Sequence, residues 1–286
     1  MTPFTRICSA CFALTVLFPS AAPAQKVGEG PLPDIRQLMK EVHDHQKALD
    51  KVRENYTYTS LHTMQEIDPK GQVKKTVTFE YEQFFVNGHR IERKVKKDGQ
   101  LLSEHDQQRE TERVTKEVEK AQNAASDQPP EGQEISVNRL LNIMEVRNPR
   151  RANYRGRPTI VFDFIGKKDA KTHGLAEDIS KKIQGTVWVD EADRVVAHLE
   201  VAFNDNFRVG GGLVATIEKG SNLHFDQAPV NGEIWLPTGG EANMQARVLL
   251  LKGIHEHDLE RDYHYKRFHV EAEQMKEAKA IVEKKP

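Results

Sequence analysis

His255-Glu256-His257-Asp258 sets two imidazoles two residues apart, on one side of the chain wherever that segment is extended, and His264 and His269 follow. Some zinc sites use such pairs, but zinc also needs a third ligand and outer partners that fix the rings. His-Glu-x-x-His does not occur, and 12 histidines in so charged a chain yield one such pair by chance. No metal and no cofactor is therefore assigned. His43 and His45, two apart in a helical pattern, fall on different faces. Arginines are the second concentration: Arg147, Arg150, Arg151, Arg155 and Arg157. Guanidinium groups at that density suit anionic headgroups or a membrane surface, but a solvated loop with nearby carboxylate partners is the favoured reading. Asp163 stands among Ile160, Phe162 and Phe164, and alternation turns it to the opposite face. The chain contains no Gly-x-Ser-x-Gly elbow, phosphate loop or dinucleotide fingerprint; Gly210-Gly211-Gly212 lies within a strand pattern and no helix follows it. These readings favour a binding protein over an enzyme.

Residues Met1 to Ala24 have the layout of a secretory leader: Arg6, an apolar run from Ile7 to Phe18, Pro19, and the small-x-small pattern Ala22-Pro23-Ala24. The mature chain is expected to start near Gln25 and to be exported, with the periplasm as its compartment. Both cysteines, Cys8 and Cys11, lie in the leader, so disulfides and thiolate chemistry are excluded from the mature chain. No later run reaches the ~20 apolar residues of a spanning helix. The formal charge of -1 argues against general nucleic-acid binding. With 37% hydrophobic and 30% charged residues, a curved sheet with one wet face fits the composition.

Such a sheet must position any site. Ile35, Leu38, Val42, Leu49 and Val52 recur at helical spacing and predict an amphipathic helix over about 33–54. From Asn55 the period becomes two. Strands are expected around Tyr56 to Met64, Val73 to Phe85 and His89 to Lys96, with turns at Asp68-Pro69-Lys70-Gly71 and Asn87-Gly88. Ser103 to Ala125 reads as a polar helix capped by Ser103, with Val114, Val118 and Ala121 as a thin apolar line. A linker at 126–132 leads to a shorter helix bearing Val137, Leu140, Leu141 and Met144. The remainder alternates as strands, with Gly210-Gly211-Gly212 expected to permit a bulge, and Asn231-Gly232 marks another hairpin. Fold class is therefore mainly β (α+β): a curved antiparallel sheet forming an unclosed half-barrel, with an N-terminal amphipathic helix and a helical insertion at about 103–146. One domain is expected over 25–271, followed by a polar tail at 272–286.

The layout resembles the LolA-like periplasmic lipoprotein-carrier superfamily. The resemblance rests on the helix entering Asn55-Tyr56-Thr57-Tyr58, on Gly185-Thr186-Val187-Trp188-Val189-Asp190 running into Val195 to Phe203, on Ile234-Trp235-Leu236-Pro237-Thr238, and on Tyr263-His264-Tyr265-Lys266-Arg267-Phe268. It covers about 33–98 and 153–271. It implies a concave apolar face, partly covered by helices, that shelters lipid or lipoprotein acyl chains and exchanges them with envelope transport proteins. The charged 103–125 helix and the 167–182 loop depart from the compact carrier pattern.

On that reading Phe79, Tyr81, Phe85, Phe162, Phe164, Val187, Leu199 and Val201 are expected to line the cavity. Leu140, Leu141 and Met144 would form its lid, and Arg147, Arg150 and Arg151 would meet headgroups. The same alternation suits an ordinary filled core. A non-catalytic envelope interaction or regulatory protein on the same scaffold is the alternative function.

Overall fold

The computed structural model describes residues 30–123, 137–249 and 252–267. The leader, the 126–132 linker, Phe268 and the polar tail lie outside the described residues.

Asp34 starts the first helix, α1 (Ile35–Arg53). Its Oδ1 accepts the amide of Gln37 at 2.8 Å, and its carbonyl accepts that of Leu38, which satisfies donors a helix start leaves open. Among the described residues thirteen strands follow: β1 (Tyr56–Ile67), β2 (Val73–Val86), β3 (His89–Lys97), β4 (Gln100–Leu101), β5 (Met144–Tyr154), β6 (Arg157–Gly166), β7 (Ile183–Asp190), β8 (Val196–Phe203), β9 (Phe207–Val209), β10 (Ala215–Ile217), β11 (Asn222–Val230), β12 (Ile234–Val248) and β13 (Lys252–Arg267). Three more helices are α2 (Glu104–Asn123), α3 (Val137–Ile143) and α4 (Leu175–Ser180).

All pairings are antiparallel, and the strands run in the order β4-β3-β2-β1-β13-β12-β11-β8-β7-β6-β5, with the short β9 and β10 attached at β12. The last strand therefore inserts between the first hairpin and the rest. β4 and β5 remain edges that do not pair with one another, so the sheet is an unclosed half-barrel. Turn chemistry accounts for the hairpins: Asp68 Oδ1 accepts the amides of Lys70 and Gln72 at 2.8 Å, and Asn87 and Gly88 take the positive φ values, 50° and 77°, that a tight hairpin requires.

The helices divide between the two faces. Leu38 and Val42 of α1 pack on Ile160, Phe162, Phe164, Val187 and Val189, joined by Leu140 of α3. Toward its C-terminus Leu49 meets Tyr56, Trp235 and Leu236. Ser103 caps α2 as expected, its Oγ accepting the Asp106 amide at 3.2 Å, and Val114 and Ala121 dock that helix on Ile91.

Four details differ from the sequence-based expectation. Met144 is not in the short helix but opens β5, opposite Gly166. Of the arginine segment, Arg147, Arg150 and Arg151 lie in the edge strand β5 and Arg157 in β6, and only Arg155 is in a turn. The 167–182 segment contains α4. Gly210, Gly211 and Gly212 form a helical turn between β9 and β10, all with positive φ (59°, 66° and 94°), where a strand bulge was expected; only glycine takes three such residues in succession without steric cost.

Candidate functional site: the helix-bearing face of the sheet

Register places six of the eight expected lining residues in two adjacent rows on one face, with Tyr81 and Phe85 further along β2 on the same side. The first runs Phe162, Val187, Leu199, Phe225, Gly240, Glu260, His62, Phe79 across eight strands. The second runs Phe164, Gly185, Val201, Leu223, Ala242, Asp258, Met64, Val77. Phe162, Phe164, Val187 and Met144 are buried beneath α1, with Leu140, Leu199 and Val201 packed at the border of that cluster. Leu141 lies in α3 and is half-buried. Beyond the helix the rows stay apolar but lose cover: Phe225 is half-buried, Leu223 is 37% exposed, and Met64 is 38% exposed. Gly185 and Gly240 keep the rows thin, since a Cβ on Gly185 would meet the Glu200 carbonyl at 1.9 Å and the Phe164 ring at 2.6 Å.

β13 interrupts the apolar rows. Asp258, Glu260 and Asp262 alternate toward this face, opposite Met64, His62 and Ser60. Glu260 accepts from Ser60 Oγ at 3.0 Å and lies 3.4 Å from His62 Nε2. Arg90 stands 2.9 Å from Glu92 and 3.9 Å from Glu260, and the buried Gln83 amide donates to Glu92 at 3.3 Å. Neither oxygen of Asp262 has a hydrogen-bond partner. Burial, aided by the Glu260 charge, pushes its carboxyl up to about 6. On His62 burial works toward the neutral ring, yet hydrogen bonding to Glu260 and the surrounding carboxylates wins, and the imidazole is raised. Phe79, Tyr81 and Phe85 of β2 sit beside this polar strip. Phe79 carries the Lys94 ammonium 4.3 Å above its ring, and Phe85 lies 6.4 Å from Tyr58. The face thus has an apolar half from β5 to β12 and a charged half from β13 to β3.

The opposite face holds a second polar group. His198 is clamped between Asp226, 2.8 Å from Nδ1, and Glu200, 3.2 Å from Nε2; Tyr154 stacks on its ring at 5.0 Å and donates to Asp226. These carboxylates raise His198 against the effect of its burial. Glu200 and His224 also line an open trough of about 690 Å³ whose wall includes Asp163, turned to this face as alternation requires and held by Asn148, Thr186 and Arg150.

The arginines have carboxylate partners. Arg147 bonds Glu145 at 3.0 Å, Arg150 reaches Asp163 at 3.2 Å, Arg151 meets Glu191 at 2.9 Å, and Arg155 is 3.4 Å from Asp226. His257 is engaged by Gln65 at 3.0 Å and Glu241 at 2.8 Å. No group of three or more candidate metal ligands occurs among the described residues.

Comparison with solved structures gives matches over most of the chain. A domain named for outer-membrane lipoprotein sorting, from Vibrio parahaemolyticus, is 11% identical with a TM-score of 0.34, covering 85% of this chain and 99% of its own. A DUF1329 family protein from Desulfovibrio piger is 10% identical with a TM-score of 0.32, covering 85% and 98%. MucB, in its complex with MucA(peri), is 8% identical with a TM-score of 0.25, covering 83% and 100%. Superpositions at these scores carry no argument about function. What this chain has in common with the LolA-like layout is its own open antiparallel sheet with an amphipathic helix across one face. No family model matches the chain, and no curated protein matches it.

The sequence reading missed the acidic strip. Its signal was the alternation Asp258-Leu259-Glu260-Arg261-Asp262, which resembles a solvated strand until register shows which face the carboxylates take.

Proposed function

We propose that the apolar half of the helix-bearing face binds hydrophobic ligands, lipid or lipoprotein acyl chains, and that the protein carries them through the periplasm without catalysing a reaction. One observation carries the reading: the rows that begin as core under α1 continue past the helix as Phe225 and Ala242, which are half-buried, and Leu223, which is exposed. Apolar surface left open on a soluble face is costly, at about 25 cal/mol per Å². An acyl chain laid along the rows offsets that cost at about 0.8 kcal/mol per buried methylene. α1 and α3 form the wall against which the chain packs, and the charged half marks where an apolar tail stops and a polar end begins.

Solvent extraction of protein purified from an exporting host, followed by mass spectrometry of the extract, tests this. Stoichiometric acyl lipid supports the reading. A blank extract, repeated after incubation with offered lipids, contradicts it.

A further inference from the structure

One end of the sheet presents apolar side chains that nothing in the fold requires. Leu213 is 64% exposed, Val214 53%, Leu249 67% and Leu175 58%. Leu213, Val214 and Leu249 lie together at one tip, with Leu175 across a trough from the adjoining turn. The Leu249 amide bonds the Val214 carbonyl at 3.1 Å, where β10 pairs with the end of β12. Leu213 and Val214 leave the triple-glycine turn, and that turn shares an open trough of about 690 Å³ with Leu175.

Two features separate this tip from ordinary scattered surface leucines. Leu249 has φ 49°, in the left-handed region, at a turn position where glycine or asparagine would be relaxed. A leucine there is unfavourable twice over, in backbone strain and in exposure. Next, the three glycines with positive φ turn β9 back on β10, and Leu213 and Val214, which follow them, stay exposed. The surrounding charge is also uneven. Lys168, Lys181, Lys182 and Arg208 line the trough against two carboxylates, Asp178 and Asp205, of which Asp205 is paired with Lys182.

We propose that this tip docks the protein on a lipid bilayer bearing anionic headgroups, with Leu213, Val214 and Leu249 entering the interface and the trough cations meeting the headgroups. A cationic trough reaching the glycine turn beside a small apolar tip is the combination that gives reversible peripheral binding, since neither part anchors a protein stably to a membrane alone. The docking end is distinct from the acyl-chain face and stands whether or not that face carries lipid.

Vesicle co-sedimentation of the full mature chain tests this, using phosphatidylcholine vesicles with and without about 30% phosphatidylglycerol as the anionic component. The wild type is expected to partition about tenfold more strongly onto the anionic vesicles and to lose that partition at high salt. The variant Leu213→Ser/Leu249→Asn is expected to lose about tenfold in partition. Because asparagine relaxes the turn, its thermal midpoint should stay level or rise, so a folding defect cannot imitate the result. Lys168→Gln/Arg208→Gln should lose the anionic preference and retain weak binding to neutral vesicles. The proposal is overturned if the wild type ignores both vesicles, binds both equally, or binds unchanged after the leucine substitutions. It is also overturned if those substitutions instead dissolve a dimer seen by light scattering, which would make a second copy the occupant.

Discussion

Asp262 faces Ser60 across the β1–β13 ladder, yet the single hydroxyl proton of Ser60 goes to Glu260, 3.0 Å away. Two carboxylates compete for one donor, and the more deeply buried one is left without it. Burial is the main reason that the Asp262 carboxyl rises to about 6, and the Glu260 charge adds to it, whereas Glu260 is lowered by His62, Arg90 and Ser60 against its own burial.

The stability consequence has a definite sign. Between about 4, where Asp262 ionises in the unfolded chain, and about 6, where it ionises in the fold, the native state binds the extra proton, so stability falls as pH rises through that window. Above it the native state bears an unpaired buried charge. Asp262→Asn should therefore stabilise the protein by roughly 2–3 kcal/mol at pH 8 and change little at pH 4. Urea midpoints for both proteins at the two pH values check this; an equal effect at both would contradict it.

Asp190 has the opposite behaviour. It is fully buried, Arg157 Nη2 reaches it at 3.0 Å, and it accepts the amides of Ala192 and Asp193 at 3.1 and 2.8 Å in the turn between β7 and β8. Burial pushes its carboxyl up, but these donors outweigh it and the net displacement is downward. Its contribution is present above the unfolded carboxylate value and is lost as pH falls through the lower folded one. Asp190→Ala removes one carboxylate partner of the half-buried Arg157, which keeps Asp193, and the acceptor of two turn amides, with an expected loss of about 2 kcal/mol at pH 7 that shrinks in acid. Thermal unfolding at pH 7 and pH 3 reads the difference.

Gly185 is closed to any side chain by the Glu200 carbonyl and the Phe164 ring. Gly185→Ala should destabilise the fold by about 3 kcal/mol, because the obstructing carbonyl belongs to a paired strand that cannot move without breaking its ladder. A chemical-denaturation curve superimposable on wild type would mean that the β7–β8 register is wrong.

Much of the sheet was legible from residue order. Period-two runs at Val73 to Phe85 and Ile160 to Phe164 gave strands and faces, and Asn87-Gly88 and Asn231-Gly232 gave hairpins, because turn chemistry and alternation are local properties. The helix at Ile35 to Arg53 was readable for the same reason. What register decides was not readable. That β13 pairs with β1 follows from long-range docking, and only that pairing sets Asp258, Glu260 and Asp262 beside His62 and Arg90. Carboxylate partners for Arg147, Arg150 and Arg151 were expected from the sequence, but which ones was not readable, because Asp163 and Glu191 come near only through the β5–β6 edge and the turn after β7. The triple glycine was taken for a bulge since a strand pattern resumes after it, and the reversal of direction leaves no mark in the alternation.

The central claim, that acyl chains lie along the open rows of the helix-bearing face, is tested most directly by titrating delipidated protein with a fluorescent fatty acid. Leu223 and Asn222 are neighbours on β11 that point to opposite faces, so Leu223→Asp and Asn222→Asp add the same charge on either side of the sheet. The account predicts saturable binding to wild type, unchanged affinity for Asn222→Asp, and at least about a tenfold loss for Leu223→Asp, the effect of a carboxylate placed against an apolar tail. Binding that Leu223→Asp leaves intact, or no saturable binding to wild type, would contradict it.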